Sequence, residues 1–154
     1  MTGHAGEIRR ATLDDVEAIA ALFDAYRQFY RREPDLDSAR AFIRNRLARD
    51  ESVVFLAVDS AAPVGFTQLY PSFTSAGMAR IFILNDLFVM PQVRGRGIAT
   101  ALLRRAAEFA TGEGAVRLTL STATDNRTAQ AVYERAGWKR DDAFLVYQLA
   151  LERP

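Results

Sequence analysis

Residues 92–98 of this chain read Gln-Val-Arg-Gly-Arg-Gly-Ile and join two segments of different character. Before them, residues 81–89 (Ile-Phe-Ile-Leu-Asn-Asp-Leu-Phe-Val) are mostly apolar, which is typical of a buried β-strand. After them, residues 99–110 carry Ala, Leu and Phe among arginines at helical spacing. Because glycine adopts positive φ at no steric cost, the two glycines permit a tight turn. The stretch therefore predicts a strand–turn–helix unit.

The turn also has the properties of an anion site. The first amides of a helix have no intrahelical partner and carry partial positive charge, which suits phosphate. A mononucleotide P-loop is excluded because no lysine follows the glycines, and a dinucleotide fingerprint is disfavoured because Thr100 stands at its third glycine. On these residues alone, a turn that binds no ligand remains an alternative.

Composition narrows the possible functions of the chain. We expect one domain over residues 1–154, with a flexible tail at residues 1–6. A net charge of +1 gives no field that would attract nucleic acid or a membrane, and no apolar run is long enough to span one. The chain has no cysteine, and its single histidine, His4, lies in the tail. We therefore expect a cytoplasmic protein with no metal site and no cysteine or histidine nucleophile chemistry.

Periodicity and turn signals predict an α/β (α+β) fold in the order β-α-α-β-β-β-α-β-α-β. Thr12 and Asp15 form a capping-box pattern before the first helix, with Asp in place of the usual Glu or Gln. The last strand is apolar on more than one face, so we expect it to be buried in the sheet or to form a homodimer contact. The predicted strands are 7–11, 52–59, 64–70, 80–90, 116–121 and 144–151, and the predicted helices begin near residues 16, 37, 99 and 126.

A second motif follows the strand at residues 116–121. Asn126 is followed seven residues later by Tyr133, and then by the pair Gly137-Trp138. Together with Gln92-Val93-Arg94-Gly95-Arg96-Gly97, this ordered pattern resembles the GNAT superfamily of acetyl-CoA-dependent N-acetyltransferases. Within that superfamily the pattern is nearest to diamine and polyamine acetyltransferases. The resemblance implies a single mixed, mostly antiparallel sheet flanked by helices, with its central parallel strands splayed apart.

The resemblance also implies an acetyl-CoA (CoA) site. Amides of the glycine turn would hold the pyrophosphate, and the pantetheine arm would run along residues 87–89. Asn126 would bind a pantetheine amide, although a plain helix cap is its alternative role. The expected cofactor-binding residues are Leu87, Phe88, Val89, Arg94, Gly95, Arg96, Gly97, Ile98, Ala99, Thr100, Asn126 and Tyr133.

Two residues are expected to carry the chemistry. Tyr133 resembles the family tyrosine that protonates the leaving thiolate; a core tyrosine is its alternative. Asp86 lies where the family strand bulges toward substrate, and it would act as the base directly or through water, or else only orient the substrate. With no cysteine, direct transfer in a ternary complex is the simplest mechanism.

The acceptor is expected to be a small primary amine, such as a polyamine or an amino acid. Aromatic and acidic side chains favour a cationic ligand. The alternatives are acetylation of a protein or peptide, and a non-catalytic acyl-CoA-binding module. The expected acceptor residues are Tyr26, Phe29, Tyr30, Tyr70 and Asp86. The alternative for Tyr26, Phe29 and Tyr30 is an ordinary core or rim role on an amphipathic helix.

Overall fold

The computed structural model describes residues 6–154 and contains one five-stranded sheet in the order β1-β2-β3-β4-β5. Strands β1 to β4 pair antiparallel in succession, whereas β4 and β5 are parallel. The α/β class and the mixed sheet are thereby confirmed. The strands are β1 (Glu7–Arg10), β2 (Val53–Asp59), β3 (Ala62–Thr74), β4 (Ala79–Val89) and β5 (Leu118–Thr119), and the helices are α1 (Val16–Phe29), α2 (Leu36–Ala48), α3 (Ile98–Gly112) and α4 (Arg127–Arg135).

The sheet has a separate apolar core on each face. Side chains alternate along β2, so Phe55 packs toward α3 with Leu102, whereas Leu56 packs toward α1 and α2 with Ile19 and Ile43. The capping box before α1 is also present, since the backbone N–H of Thr12 donates to the Asp15 carboxylate. Among residues 6–154, no helix is long and apolar enough to cross a membrane.

Strand β4 contains the irregularity that shapes the site. Gln68 pairs with Asp86 and Leu69 pairs with Leu84, so Asn85 is an extra residue on β4. Such a bulge reverses which face the following side chains occupy. Leu84 therefore packs in the core under α3, whereas Phe88 packs in the core under α1 and α2.

Strands β4 and β5 separate after a short contact. They pair only at Phe82 with Leu118 and at Ile83 with Thr119, while β4 continues to Val89. The expected splay of the parallel strands is thus present. It leaves the second half of β4 without a strand neighbour on that side, and its backbone is available to a ligand.

The chain differs from the predicted order at its C-terminus. Residues 144–151 form no strand, and their apolar side chains are exposed rather than buried, as Tyr147 is at 87%. Alternating apolar residues favour a strand, but a strand also needs a paired edge, and residues 144–151 pair with no strand among residues 6–154. At the other end, residues 1–5 of the predicted tail, including His4, lie outside the described residues.

Candidate active site

A cavity of ≈ 880 Å³ opens where β4 leaves β5. It lies between the second half of β4, the start of α3, α4 and the end of α1, and its size is within the usual range for small-molecule sites, about 300–1,000 Å³. Its lining comprises Tyr26, Phe29, Tyr30, Leu87, Phe88, Val89, Val93, Arg94, Gly95, Gly97, Ile98, Ala99, Thr100, Asn126, Thr128, Ala129, Val132, Tyr133, Arg135 and Ala136. Eleven of the twelve predicted cofactor residues therefore line one cavity, and Arg96 is the exception.

The glycine turn presents backbone to this cavity. Gly95 and Gly97 have φ values of 81° and 80°, so both need the left-handed conformation that glycine tolerates. A Cβ atom on either would meet no atom within 4 Å. Gly97 begins α3 without a side-chain cap, and the amides of Ile98 to Thr100 have no intrahelical acceptor. The turn therefore offers an open cluster of donors that fits a pyrophosphate.

The two arginines of the turn are placed differently. Arg94 lines the cavity, and its Nε donates to the carbonyl of Val89 at 2.9 Å. Its guanidinium lies 5.7 Å from the ring centroids of both Phe29 and Phe88. Arg96 instead points toward the end of β2, where its Nη1 is 3.6 Å from Asp59 Oδ2. Arg94 thus connects the cofactor turn to the aromatic side of the cavity.

Helix α4 brings two of the predicted residues to the opposite side of the cavity. Asn126 caps the helix, because its Oδ1 accepts from the Ala129 amide at 3.2 Å, and its Nδ2 is left to serve as a donor. The Tyr133 ring packs 6.2 Å from that of Trp138. Burial, and then the nearby Tyr30, raise the pKa of Tyr133 above its usual value. Tyr133 is therefore a neutral phenol near pH 7.

Asp86 lies beneath the cavity rather than on its lining. Its side chain is buried, with Oδ2 accepting from Gln68 Nε2 at 2.7 Å and Oδ1 from Asn85 Nδ2 at 3.3 Å. Burial raises the pKa of Asp86, while hydrogen bonds from Gln68, Asn85 and the Tyr26 hydroxyl oppose that shift. The Tyr26 hydroxyl donates to the Asn85 carbonyl at 3.5 Å, next to Asp86, and Tyr26 lines the cavity.

Gln68 is a site residue that the sequence reasoning missed. It is completely buried on β3 opposite Asp86, and its Oε1 has no hydrogen-bond partner. Next to it, the Thr67 hydroxyl donates to the Asp86 carbonyl at 2.8 Å. The only signal in the sequence was a glutamine in the middle of a predicted strand, where burial requires a polar partner.

Three of the five predicted acceptor residues line the cavity. Tyr26 and Tyr30 meet edge to face with ring centroids 4.9 Å apart, and Phe29 is 5.3 Å from Tyr30. Tyr70 does not reach the cavity; burial first, and then Asp86, raise its pKa to about 12. An aromatic surface backed by a carboxylate is suited to a cationic amine.

The chain matches the acetyltransferase (GNAT) family over residues 18–138. It belongs to the GNAT acetyltransferase family. The resemblance deduced from the two sequence motifs is thereby confirmed, and enzymes of this family use acetyl-CoA as the acyl donor. The arrangement of open amides at the glycine turn fits such a donor.

Individual relatives agree with this assignment. The chain is 47% identical to the uncharacterized N-acetyltransferase YhfO of Bacillus subtilis (strain 168), covering 92% of this chain and 95% of that protein. It is 32% identical to the aminoalkylphosphonate N-acetyltransferase of Salmonella typhimurium (strain LT2), covering 87% of this chain and 85% of that protein. A crystal structure of a probable acetyltransferase superposes with a TM-score of 0.90 at 40% identity, covering 96% of this chain and 99% of that one.

Proposed function

We propose that this protein transfers the acetyl group of acetyl-CoA to the primary amine of a small molecule, such as a polyamine or an amino acid. One observation carries the proposal: the aromatic side chains of Tyr26, Phe29 and Tyr30 share a single cavity with the glycine turn. An ammonium group gains cation–π stabilisation from such rings when they are partly desolvated. The relative named for aminoalkylphosphonate acts, by that name, on a small amine.

Donor binding follows from the exposed backbone. The amides at the start of α3 would hold the pyrophosphate, with Arg94 adding positive charge beside them. The pantetheine arm would lie along Leu87 to Val89, where β4 has no strand neighbour toward β5. Asn126 Nδ2 would donate to it, while Oδ1 remains the helix cap. Acetyl-CoA supplies the activated thioester.

Two substitutions at Asn126 separate its two roles. Asn126→Asp keeps an oxygen for the Ala129 amide but removes the amide donor. We expect the KM for acetyl-CoA to rise by roughly 2- to 10-fold, the equivalent of one hydrogen bond, with little change in Tm. Asn126→Ala should raise KM similarly and also lower stability by about 1 kcal/mol, because the cap is lost. Initial rates and thermal melts check both, and an unchanged KM in both variants would limit Asn126 to capping.

The protein's own groups move the protons of the reaction. An amine must lose a proton to attack, and Asp86 would accept it through Tyr26 or a water molecule, since the carboxylate lies behind the cavity. Tyr133 would then protonate the leaving thiolate from the opposite side. The chain has no cysteine, so no cysteinyl acetyl-enzyme can form, and direct transfer with both substrates bound is the simplest mechanism.

We expect Gln68 to position Asp86 and to set its pKa. Gln68→Met keeps the length of the side chain but removes the donor to Oδ2, so the pKa of Asp86 should rise further. The acid limb of the kcat/KM profile should therefore move to higher pH, with a smaller change on the plateau. Gln28→Met is the matched control, because Gln28 also donates to a carboxylate, that of Asp24, away from the cavity. An acid limb that stays in place in Gln68→Met would reject the positioning role.

A panel of acceptors tests the proposed substrate class. Polyamines, amino acids, aminoalkylphosphonates and aminoglycosides are compared with peptides that carry a free N-terminus or a lysine, and kcat/KM is measured for each. Small amines should be preferred. A preference for peptides would replace the proposal with protein acetylation, and CoA binding without turnover on any amine would favour a non-catalytic module.

Three further properties belong to this proposal. The chain would act as a single N-acetyltransferase domain over residues 1–154, as a homodimer, in the cytoplasm. The homodimer has a basis in the exposed apolar residues near the C-terminus. The location stays a prediction from the sequence.

A further inference from the structure

The charged side chains that line the cavity are all positive. Among the described residues they are Arg94 and Arg135, and no aspartate or glutamate belongs to the lining. The carboxylate of Asp86 lies beneath the lining, hydrogen-bonded to Gln68. A polyamine brings several ammonium groups, which this lining would repel because like charges repel. The charge of the cavity therefore favours an acceptor that carries a negative group of its own.

The guanidinium of Arg94 is held on the aromatic side of the cavity. Its Nε donates to the Val89 carbonyl at 2.9 Å, and its central carbon lies 5.7 Å from the ring centroids of both Phe29 and Phe88. Among residues 6–154, its Nη1 and Nη2 form no hydrogen bond and no ion pair. A guanidinium held in this way presents two parallel donors, which match a carboxylate or a phosphonate.

The pyrophosphate of the donor has other groups to bind it. The amides of Ile98 to Thr100 have no intrahelical acceptor, and the turn before them is open at Gly95 and Gly97. Arg135 lines the cavity from α4, on the opposite side. The bond from Arg94 to Val89 holds the Arg94 guanidinium against β4 and α1. Its two remaining donors can therefore serve a second ligand.

The ammonium end of the acceptor has its own place in the cavity. The Tyr26 hydroxyl donates to the Asn85 carbonyl at 3.5 Å, next to Asp86. The Tyr30 ring meets the Tyr26 ring with centroids 4.9 Å apart. An ammonium group on these two rings gains cation–π stabilisation and lies near the proposed base.

The Phe88 ring lies between the two ends. Its centroid is 6.3 Å from that of Tyr26 and 5.7 Å from the Arg94 guanidinium. On α1, Tyr26 and Phe29 are three residues apart, about 4.5 Å along the helix axis. The place for the amine and the place for an anion are thus separated by roughly one helical turn.

We infer that the acceptor is a small amine that also carries a carboxylate or a phosphonate, and that Arg94 binds this anionic group. The inference rests on the proposed function, since it names the acceptor of the same reaction. The amine nitrogen bonds to the acetyl carbon and the carbon–sulfur bond breaks. The amine loses its proton toward Asp86, and the thiolate of CoA takes up a proton as it leaves. A short chain between amine and anion fits the spacing, whereas a diamine would place its second ammonium against Arg94.

Pairs of acceptors that differ only in the anionic group test the inference on the wild-type protein. β-Alanine and γ-aminobutyrate are compared with their amides, and aminoethylphosphonate with its neutral diester. Diaminopropane is the cationic comparison, and kcat/KM for each acceptor is measured at saturating acetyl-CoA. Each acid should exceed its neutral partner by roughly 10- to 100-fold, the range for hydrogen bonds to a charged group. Either acid supports the inference, and the better of the two identifies the anion.

Three variants assign the preference to one arginine. Arg94→Met keeps the length of the side chain but removes its charge, so the ratio of acid to neutral partner should fall toward unity. Any effect of Arg94 on acetyl-CoA cancels in that ratio, because both acceptors use the same donor. Arg96→Met is the matched control, since Arg96 belongs to the same turn but lies 3.6 Å from Asp59 and outside the lining. Arg135→Met removes the other arginine of the cavity. Both should keep the wild-type ratio.

The outcomes separate this inference from the proposed function. Equal rates for acid and neutral partner, or a preference for diaminopropane, would overturn the anionic acceptor while leaving the N-acetyltransferase activity in place. A ratio that is unchanged in Arg94→Met, or lost in Arg135→Met instead, would overturn the role of Arg94. Absence of turnover on every amine would overturn the proposed function as well. Thermal melts accompany each variant, and the wild-type comparison decides the acceptor class even if a variant fails to fold.

Discussion

Asp86→Asn is expected to lower kcat by about 10²- to 10⁴-fold, the range for losing a positioned acid–base group. Among the described residues, Asp86 is the carboxylate that accepts from Gln68 and whose pKa is lowered by the cavity residue Tyr26. Asparagine matches its size and can still accept from Gln68, so the fold should be retained. The rate with a saturating amine, measured across pH, is the test.

The raised pKa of Asp86 also predicts how stability and activity change with pH. Burial raises the pKa of Asp86, so the folded state holds the proton more tightly than the unfolded chain. Protonated Asp86 therefore contributes its full stabilisation at a pH below the pKa of the unfolded chain. This contribution is lost as the pH rises through the pKa of Asp86 in the folded protein. Asp86→Asn should therefore raise Tm at alkaline pH, and the gain should shrink toward acid. Wild-type kcat/KM should rise through the same pKa, whereas the variant lacks that acid limb.

If the Asp86→Asn variant kept the wild-type pH dependence of kcat/KM, Asp86 would not be the base. A chain of water molecules would then take the proton of the amine. Asp24→Asn provides a comparison, because Asp24 is also a buried carboxylate on hydrogen-bond donors, Arg27 and Gln28, but outside the cavity. It should affect stability without removing the acid limb.

Tyr133→Phe is expected to produce the second large loss, about 10²-fold in kcat, with a nearly unchanged KM for acetyl-CoA. The phenol is removed but the ring remains packed against Trp138. Because burial raises the pKa of Tyr133, the wild-type enzyme should keep its activity beyond pH 10, the usual tyrosine range. Stopped-flow or steady-state thiol release measures the effect.

Tyr147→Phe is the matched control, since Tyr147 is 87% exposed near the C-terminus and does not line the cavity. It should retain wild-type kcat. Equal rates for Tyr133→Phe and the wild-type enzyme would leave Tyr133 as a packing residue beside the cavity.

The sequence was most informative where function depends on backbone. Positive φ at Gly95 and Gly97 and the start of α3 follow directly from local residue type, so the turn and its position in the sheet were predictable. Asn126 was identified seven residues before Tyr133, and both face the same cavity.

The sequence was less informative where the direction of a side chain depends on how its strand pairs with another strand. The bulge at Asn85 decides that Asp86 turns toward Gln68 and Tyr26, and this bulge exists only through the register with β3. For the same reason Gln68 was overlooked. Arg96 was predicted as a cofactor-binding residue, and nothing in the sequence indicated that its guanidinium would lie near Asp59, a residue distant in sequence.

The strand predicted at residues 144–151 failed for a different reason. The apolar pattern of residues 144–151 is a property of the segment, whereas strand formation depends on an available edge. That pairing is absent among the described residues, so periodicity alone predicted a strand that does not form.

The central claim is that this cavity catalyses direct acetyl transfer from acetyl-CoA to a small amine. Initial rates of thiol release, measured while acetyl-CoA and the best acceptor are varied together, test it most directly, with the acetylated amine quantified in the same samples. The account predicts intersecting double-reciprocal lines and one acetylated amine for each thiol released. Parallel lines, or thiol release that does not depend on the amine, would contradict it.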